Sequence, residues 1–156
     1  MSSTKRPSWV VFDFLGVIMP FGVGSVRSFM GSSRDSDFDS RVVEVIRVLH
    51  AKGYKIGLAS NSRRRWVLPA LQKAGINTLF DAIITPDDNV VKPEQEFYDL
   101  IIVRTKADAS KIVFIDDRFR NMRAAQDRGL SAIQFSTYEA LLKDLASFDI
   151  KIPATS

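Results

Sequence analysis

The sequence predicts an α/β fold, a doubly wound parallel sheet of about five strands with helices on both faces. Short, continuously apolar runs recur at about 9–13, 54–60, 82–85, 112–116 and 131–135. Runs of that kind mark strands buried on both faces. Helical patterns separate them, and strand–helix alternation builds a parallel sheet by crossover connections. Several runs also end on a polar group: Asp13, Ser60 with Asn61, the Thr85-Pro86-Asp87 turn leading to Lys92, and Asp116 with Asp117. In a parallel sheet the carboxyl ends of the strands share one edge, and ligands bind in the crevice outside it. Groups far apart in sequence are therefore expected to meet in one site.

Each element has its own signal. Residues 1–8 read as a polar leader, and Trp9-Val10-Val11-Phe12 as the first strand. Residues 16–37, rich in glycine and serine, fit neither pattern and read as a flap over the crevice; loops that long are usually functional or disordered. The first helix, about 38–50, gathers Val42, Val45, Ile46 and Leu49 on one face, with Asp35, Asp37 and Asp39 near its positive end. It stops before Gly53.

The second helix, about 63–74, groups Trp66, Ala70, Leu71 and Ala74. Pro69 is awkward there, so the helix either starts late, near Arg65, or kinks. The third, about 93–105, opens with Pro93 at its first position and buries Phe97, Leu100 and Ile101. The fourth, about 118–128, uses Met122 and Ala125; the fifth, about 137–147, uses Leu141, Leu142 and Leu145. Residues 9–150 thus read as a single domain, with 151–156 as a tail.

Composition narrows the function. Hydrophobic residues at 46% and charged residues at 26% are ordinary for a globular chain. No apolar run approaches the ~20 residues of a membrane helix, and the start has no apolar signal core. The absence of cysteine excludes thiolate chemistry and fits a cytoplasmic setting. A net charge of +4 favours anionic partners only weakly and does not point to nucleic acid. His50, the single histidine, stands in the last turn of a helix, where cations are favoured, and is given no catalytic role. Arg63-Arg64-Arg65 reads as a solvated basic face, and Trp66 as core or interface.

The strand ends suggest phosphate chemistry. Asp13 facing Asp116 and Asp117 in a crevice would be repulsive without a cation between them, which points to Mg²⁺. Asp13 has the chemistry to attack phosphorus and form an aspartyl-phosphate. Ser60 and Asn61, ahead of a helix, would meet phosphoryl oxygens, although a plain helix cap accounts for the same pair. Lys92 supplies the positive charge that several acids and a phosphate require.

Val10-Val11-Phe12-Asp13-Phe14-Leu15-Gly16-Val17, Leu58-Ala59-Ser60-Asn61-Ser62, Val91-Lys92-Pro93 with Glu94 to Tyr98, and Phe114-Ile115-Asp116-Asp117-Arg118 to Asn121 occur in that order. Together they resemble the motifs of the haloacid dehalogenase-like hydrolase superfamily, nearest its sugar-phosphate phosphatase and epoxide-hydrolase phosphatase branch. The resemblance implies a Rossmann-like core and Asp13 as nucleophile. It implies Ser60 and Lys92 as stabilisers of the phosphoryl group, and Mg²⁺ held by Asp13, Asp116, Asp117 and the backbone carbonyl of Leu15. Which of Asp116 and Asp117 touches the metal stays open.

Two departures bear on mechanism. Phosphatases of this superfamily usually carry an acid–base aspartate where this chain has Leu15. The interval between Asp13 and Ser60 is also short, with room for little more than the 16–37 flap as a reduced cap. An open site suits a bulky phosphorylated substrate, or a lid from another subunit of a homo-oligomer. Three functions follow as alternatives: a Mg²⁺-dependent phosphatase, slowed by Leu15; a non-catalytic binder of phospho-ligands or proteins; and a 2-haloacid dehalogenase, for which a non-acid at position 15 is compatible.

Overall fold

The computed structural model describes residues 6–20 and 38–153. Five strands form one sheet in the order β3-β2-β1-β4-β5, and every pairing is parallel. They are β1 (Trp9–Phe12), β2 (Lys55–Ala59), β3 (Ala82–Ile84), β4 (Ile112–Asp116) and β5 (Ser131–Gln134). The helices are α1 (Ser40–Ala51), α2 (Arg64–Lys73), α3 (Gln95–Thr105), α4 (Phe119–Asp127) and α5 (Tyr138–Ser147). Among the described residues no helix is long and apolar enough to cross a membrane.

The strands read as continuous apolar runs because alternate residues enter two cores. Val10, Phe12, Ile56, Leu58, Val113 and Ile115 face one core, beside residues of α1, α2 and α5. Trp9, Val11, Ala59, Ile84, Ile112 and Phe114 face the other, beside residues of α3 and α4. The period-2 alternation of a strand thus carries apolar side chains on both faces. Strand β1 lies at the centre, where the chain winds one way to β2 and β3 and the other way to β4 and β5. The crevice at such a switch point is where a ligand is expected.

Helix starts follow the sequence where a cap is present. Asp39 caps α1, accepting from the amides of Arg41 (3.0 Å) and Val42 (3.4 Å). Thr137 caps α5 through the Ala140 amide at 3.1 Å. Asp35 and Asp37, expected to join Asp39, lie outside the described residues.

Helix α2 begins at Arg64, near the expected start at Arg65, and Pro69 in its second turn is exposed. Two expectations need correction. Helix α3 begins at Gln95 with Glu94 as its cap residue, so Pro93 is not its first position; the Lys92-Pro93 bond is cis, in the turn before the helix. Trp66 does not enter the core: it is 39% exposed, and the inward residues of α2 are Val67 and Leu71. The Arg65 guanidinium lies 5.1 Å from the Trp66 ring centroid.

Of the expected 16–37 flap, residues 21–37 lie outside the described residues. Residues 17–19 are seated in the core: Val17, Ile18 and Met19 are all buried. A tight turn holds them there, with the Gly16 amide donating to the Met19 carbonyl at 2.7 Å.

Candidate active site

Register places the carboxylates. Phe12 of β1 pairs with Ile115 of β4, and the Asp13 amide donates to the Ile115 carbonyl at 2.9 Å. Asp13, one residue past the end of β1, is therefore level with Asp116. On its other side Phe12 pairs with Leu58 of β2, which brings Ala59 and Ser60 to the same edge.

Lys92 closes the cluster. Its Nζ donates to Asp13 Oδ1 at 2.7 Å, to Asp116 Oδ2 at 2.7 Å and to the Ala59 carbonyl at 2.8 Å. All three ammonium donors are spent. The ammonium rests above an apolar floor, 5.6 Å from the Phe114 ring centroid and 5.9 Å from that of Phe97. Asp13, Ser60, Lys92 and Asp116 are all buried.

Asn61 lines the cleft and ties down the residue opposite it. Its Nδ2 donates to the Lys92 carbonyl at 3.0 Å, and its Oδ1 accepts from the Lys92 amide at 2.8 Å. Both ends of its side-chain amide hold the main chain of Lys92, so Asn61 positions the lysine. Ser60 Oγ accepts from the Ser62 amide at 2.9 Å, which shapes the turn ahead of α2.

Asp87 ends a polar turn but is not among the residues that line the cleft. It accepts from the Arg64 amide at 2.9 Å and from the Thr85 hydroxyl at 2.8 Å, and pairs with Arg63 at 3.7 Å. The Arg64 amide first, and then the Thr85 hydroxyl, hold its carboxyl below the ordinary range. Arg64 also reaches the Ile83 carbonyl (2.7 Å) and Asp88 (3.4 Å). The basic run therefore staples α2 to the turn after β3, and these acids offset its unfavourable place at a helix start.

Asp116 is hydrogen-bonded at both oxygens: Oδ2 accepts from Lys92 and from Asn121 Nδ2 (3.2 Å), and Oδ1 from the Arg118 amide (2.9 Å). Asp117 is not, since its buried Oδ1 has no hydrogen-bond partner. Ligand atoms of Asp13, Asp116 and Asp117 all lie within 4.8 Å of one another. Burial raises Asp13 to about 7 against the attraction of Lys92. Burial likewise raises Asp117, and Asp116 adds to that rise. Lys92 serves two of these three carboxylates, and the orphaned Asp117 oxygen marks where positive charge is missing. A hard cation with oxygen ligands fits this donor set.

Sequence reasoning assigned no role to two residues here. Asn121, buried in the first turn of α4, completes the hold on Asp116. Gly16, at φ +93°, is pressed against the Asp117 carboxylate, and a Cβ there would come closer than 3.0 Å to it. Gly16→Ala is expected to displace Asp117 and to cost about 1–2 kcal/mol from backbone conformation alone. Thermal denaturation checks it: the variant should melt at a lower temperature.

Asp13, Leu15, Ser60, Asn61, Ser62, Lys92, Arg118 and Asn121 line a cleft of about 140 Å³ at this edge. The acids and the lysine thus stand together at the carboxyl edge of a parallel α/β sheet, where ligands bind. The chain belongs to the haloacid dehalogenase-like hydrolases: the family profile matches residues 27–129, a span that takes in Ser60, Lys92, Asp116 and Asp117 and begins after Asp13.

Among curated relatives, pyrophosphatase PpaX of Bacillus pumilus (strain SAFR-032) is 28% identical over 115 residues, 70% of this chain and 53% of the relative. Phosphoglycolate phosphatase of Yersinia pestis is 33% identical over 94 residues, 60% of this chain and 40% of the relative. The chain spans about half the length of the curated relatives it matches. Among solved structures, a family enzyme of Bacteroides thetaiotaomicron, an aspartate-to-alanine variant in complex with magnesium and inorganic phosphate, superposes with TM-score 0.66 at 14% identity, covering 86% of this chain and 98% of that one. L-2-haloacid dehalogenase of Xanthobacter autotrophicus superposes with TM-score 0.64 at 18% identity, covering 94% and 85%. At such identities the structures share the fold.

Proposed function

We propose that the protein is a Mg²⁺-dependent phosphatase working through an aspartyl-phosphate on Asp13. The observation that carries this reading is the Lys92 ammonium bridging Asp13 and Asp116, with the orphaned Asp117 oxygen and Ser60 at the same edge. Asp13, Asp116 and Asp117 would hold the ion, together with the Leu15 carbonyl that the family resemblance implies. When bound, the ion supplies positive charge against the phosphoryl oxygens.

The protein's own groups do the rest. Asp13 Oδ1 is committed to Lys92 and to the Phe14 amide (2.8 Å), which leaves Oδ2 to attack phosphorus. The Oδ2–P bond forms as the bond to the leaving oxygen breaks, and that oxygen keeps the electron pair. Water then attacks phosphorus, releasing phosphate and restoring the carboxylate. Lys92 and Ser60 stabilise the transferring group, and Asn61 keeps Lys92 in place.

The names of the curated relatives, pyrophosphatase and phosphoglycolate phosphatase, favour a small phosphorylated substrate over a macromolecule. A cytoplasmic setting accords with the cysteine-free sequence. The dehalogenase alternative needs no metal and leaves the third carboxylate and its orphaned oxygen without a use. The non-catalytic alternative rests on Leu15, which removes a proton carrier but not the nucleophile.

The test is hydrolysis of para-nitrophenyl phosphate with Mg²⁺ and with EDTA. Turnover that EDTA abolishes supports the reading, whereas halide release from 2-haloacids without added metal overturns it. Leu15 also makes a prediction of its own. General acid–base help is typically worth about 10²–10⁴-fold, so Leu15→Asp should raise turnover of alkyl phosphates at least about tenfold. Steady-state rates on an alkyl and an aryl phosphate measure this, with the alkyl ester gaining more.

A further inference from the structure

Arg118 has no task in the chemistry above, yet it lines the cleft with Asp13, Ser60 and Lys92. Its backbone is fixed, because its amide donates to Asp116 Oδ1 at 2.9 Å. Its side chain is exposed and makes no ion pair with any described residue. Arg63 and Arg64 differ: Arg63 pairs with Asp87 and Arg64 with Asp88. An arginine whose backbone is fixed beside a phosphate site and whose side chain pairs with no described carboxylate is matched to an anion that arrives with the substrate.

Size says which part of the substrate that is. The cleft measures about 140 Å³, well below the ~300–1,000 Å³ of pockets that enclose a drug-sized ligand. Among the described residues the cleft has room for a phosphoryl group and little more, so a leaving group would pass beside Arg118, which lines it. Leu15 adds a second constraint. With no acid at that position, groups that depart readily as anions are favoured, and a guanidinium beside them stabilises the charge they carry.

We propose that Arg118 is a specificity-determining residue that reads the leaving group, and that the substrates carry a second negative charge there, a carboxylate or a further phosphoryl group. This rests on the phosphatase reading of the same site. Arg118 is exposed, so Arg118→Met is not expected to threaten folding.

The test compares kcat/KM for 4-carboxyphenyl phosphate and phenyl phosphate with Mg²⁺, which differ by one carboxylate. Wild type should prefer the charged ester, and Arg118→Met should lower the preference ratio about tenfold, as one charge-assisted hydrogen bond is worth. Arg118→Lys should recover part of it. Arg120→Met, the control from an exposed neighbour, should leave the ratio unaltered. A second arm, for the phosphoryl alternative, measures calorimetric binding of imidodiphosphate against orthophosphate to the Mg²⁺-loaded protein, with the same expected loss in Arg118→Met. An unchanged preference in both arms overturns the assignment, as does an equal fall in Arg120→Met. Absence of turnover on every ester would instead overturn the phosphatase reading, and the calorimetric arm would then decide for or against Arg118 alone.

Discussion

Replacing Lys92 by methionine is expected to lower the stability of the metal-free protein by about 3–5 kcal/mol, the cost of breaking a buried ion pair by removing one partner. For a chain of this size that is roughly 6–20 °C in melting temperature. Methionine keeps the length of the side chain over the Phe97 and Phe114 rings, so little packing is lost. What is lost is the cation that bridges Asp13 and Asp116, both buried, with the hydrogen bond to the Ala59 carbonyl. The surface pairs make the contrast. Arg123 and Asp127, 3.6 Å apart with both side chains exposed, should cost about 1 kcal/mol or less when broken. Chemical denaturation in EDTA measures both. The double variant Lys92→Met with Asp13→Asn should regain part of the loss, because it removes one of the stranded carboxylates. A loss under about 1 kcal/mol for Lys92→Met would mean that the ammonium does not hold the cluster together.

The sheet was legible because its signal is local. Strands buried on both faces must be apolar at every position, so Val10 to Phe12 and Ile112 to Ile115 announce themselves whatever surrounds them. The meeting of Asp13 with Asp116 follows from the same pattern, since parallel strands side by side bring their carboxyl ends to one edge. Sequence could not give the work of the loops. Asn61 at a strand end reads equally well as a phosphate ligand or a helix cap, and only the approach of the turn after β3 turns its amide onto Lys92. Arg63 and Arg65 are exposed, as a solvated basic face should be, but only the placing of Asp87 and Asp88 shows that Arg63 and Arg64 also carry ion pairs. Trp66 misled because helical periodicity does not say which of two adjacent apolar residues points inward; Val67 does. Gly16 was visible as a loop glycine, but its reason, the carboxylate pressed against it, comes from more than a hundred positions away.

Asp13→Asn should abolish phosphatase activity, by at least about 10⁴-fold, since loss of the nucleophile in a covalent hydrolase can cost about 10⁶. The change is nearly isosteric, so the fold should remain, and stability carries a separate, opposite signal. In the metal-free protein burial holds the Asp13 carboxyl up at about 7, far above its range in an unfolded chain. Between those two values the folded state binds the proton that the unfolded state has released. Its contribution to stability is therefore present at low pH and lost as pH rises towards about 7. Asparagine does not titrate, so the variant should gain on wild type as pH rises from 5 to 8 in EDTA. Mg²⁺ should narrow the gap by stabilising the ionised wild type. Denaturation curves at several pH values, with and without the ion, resolve the two effects. Retained turnover in Asp13→Asn would remove the nucleophile from the proposal. A variant less stable than wild type at pH 8 in EDTA would show that the carboxylates are not short of positive charge.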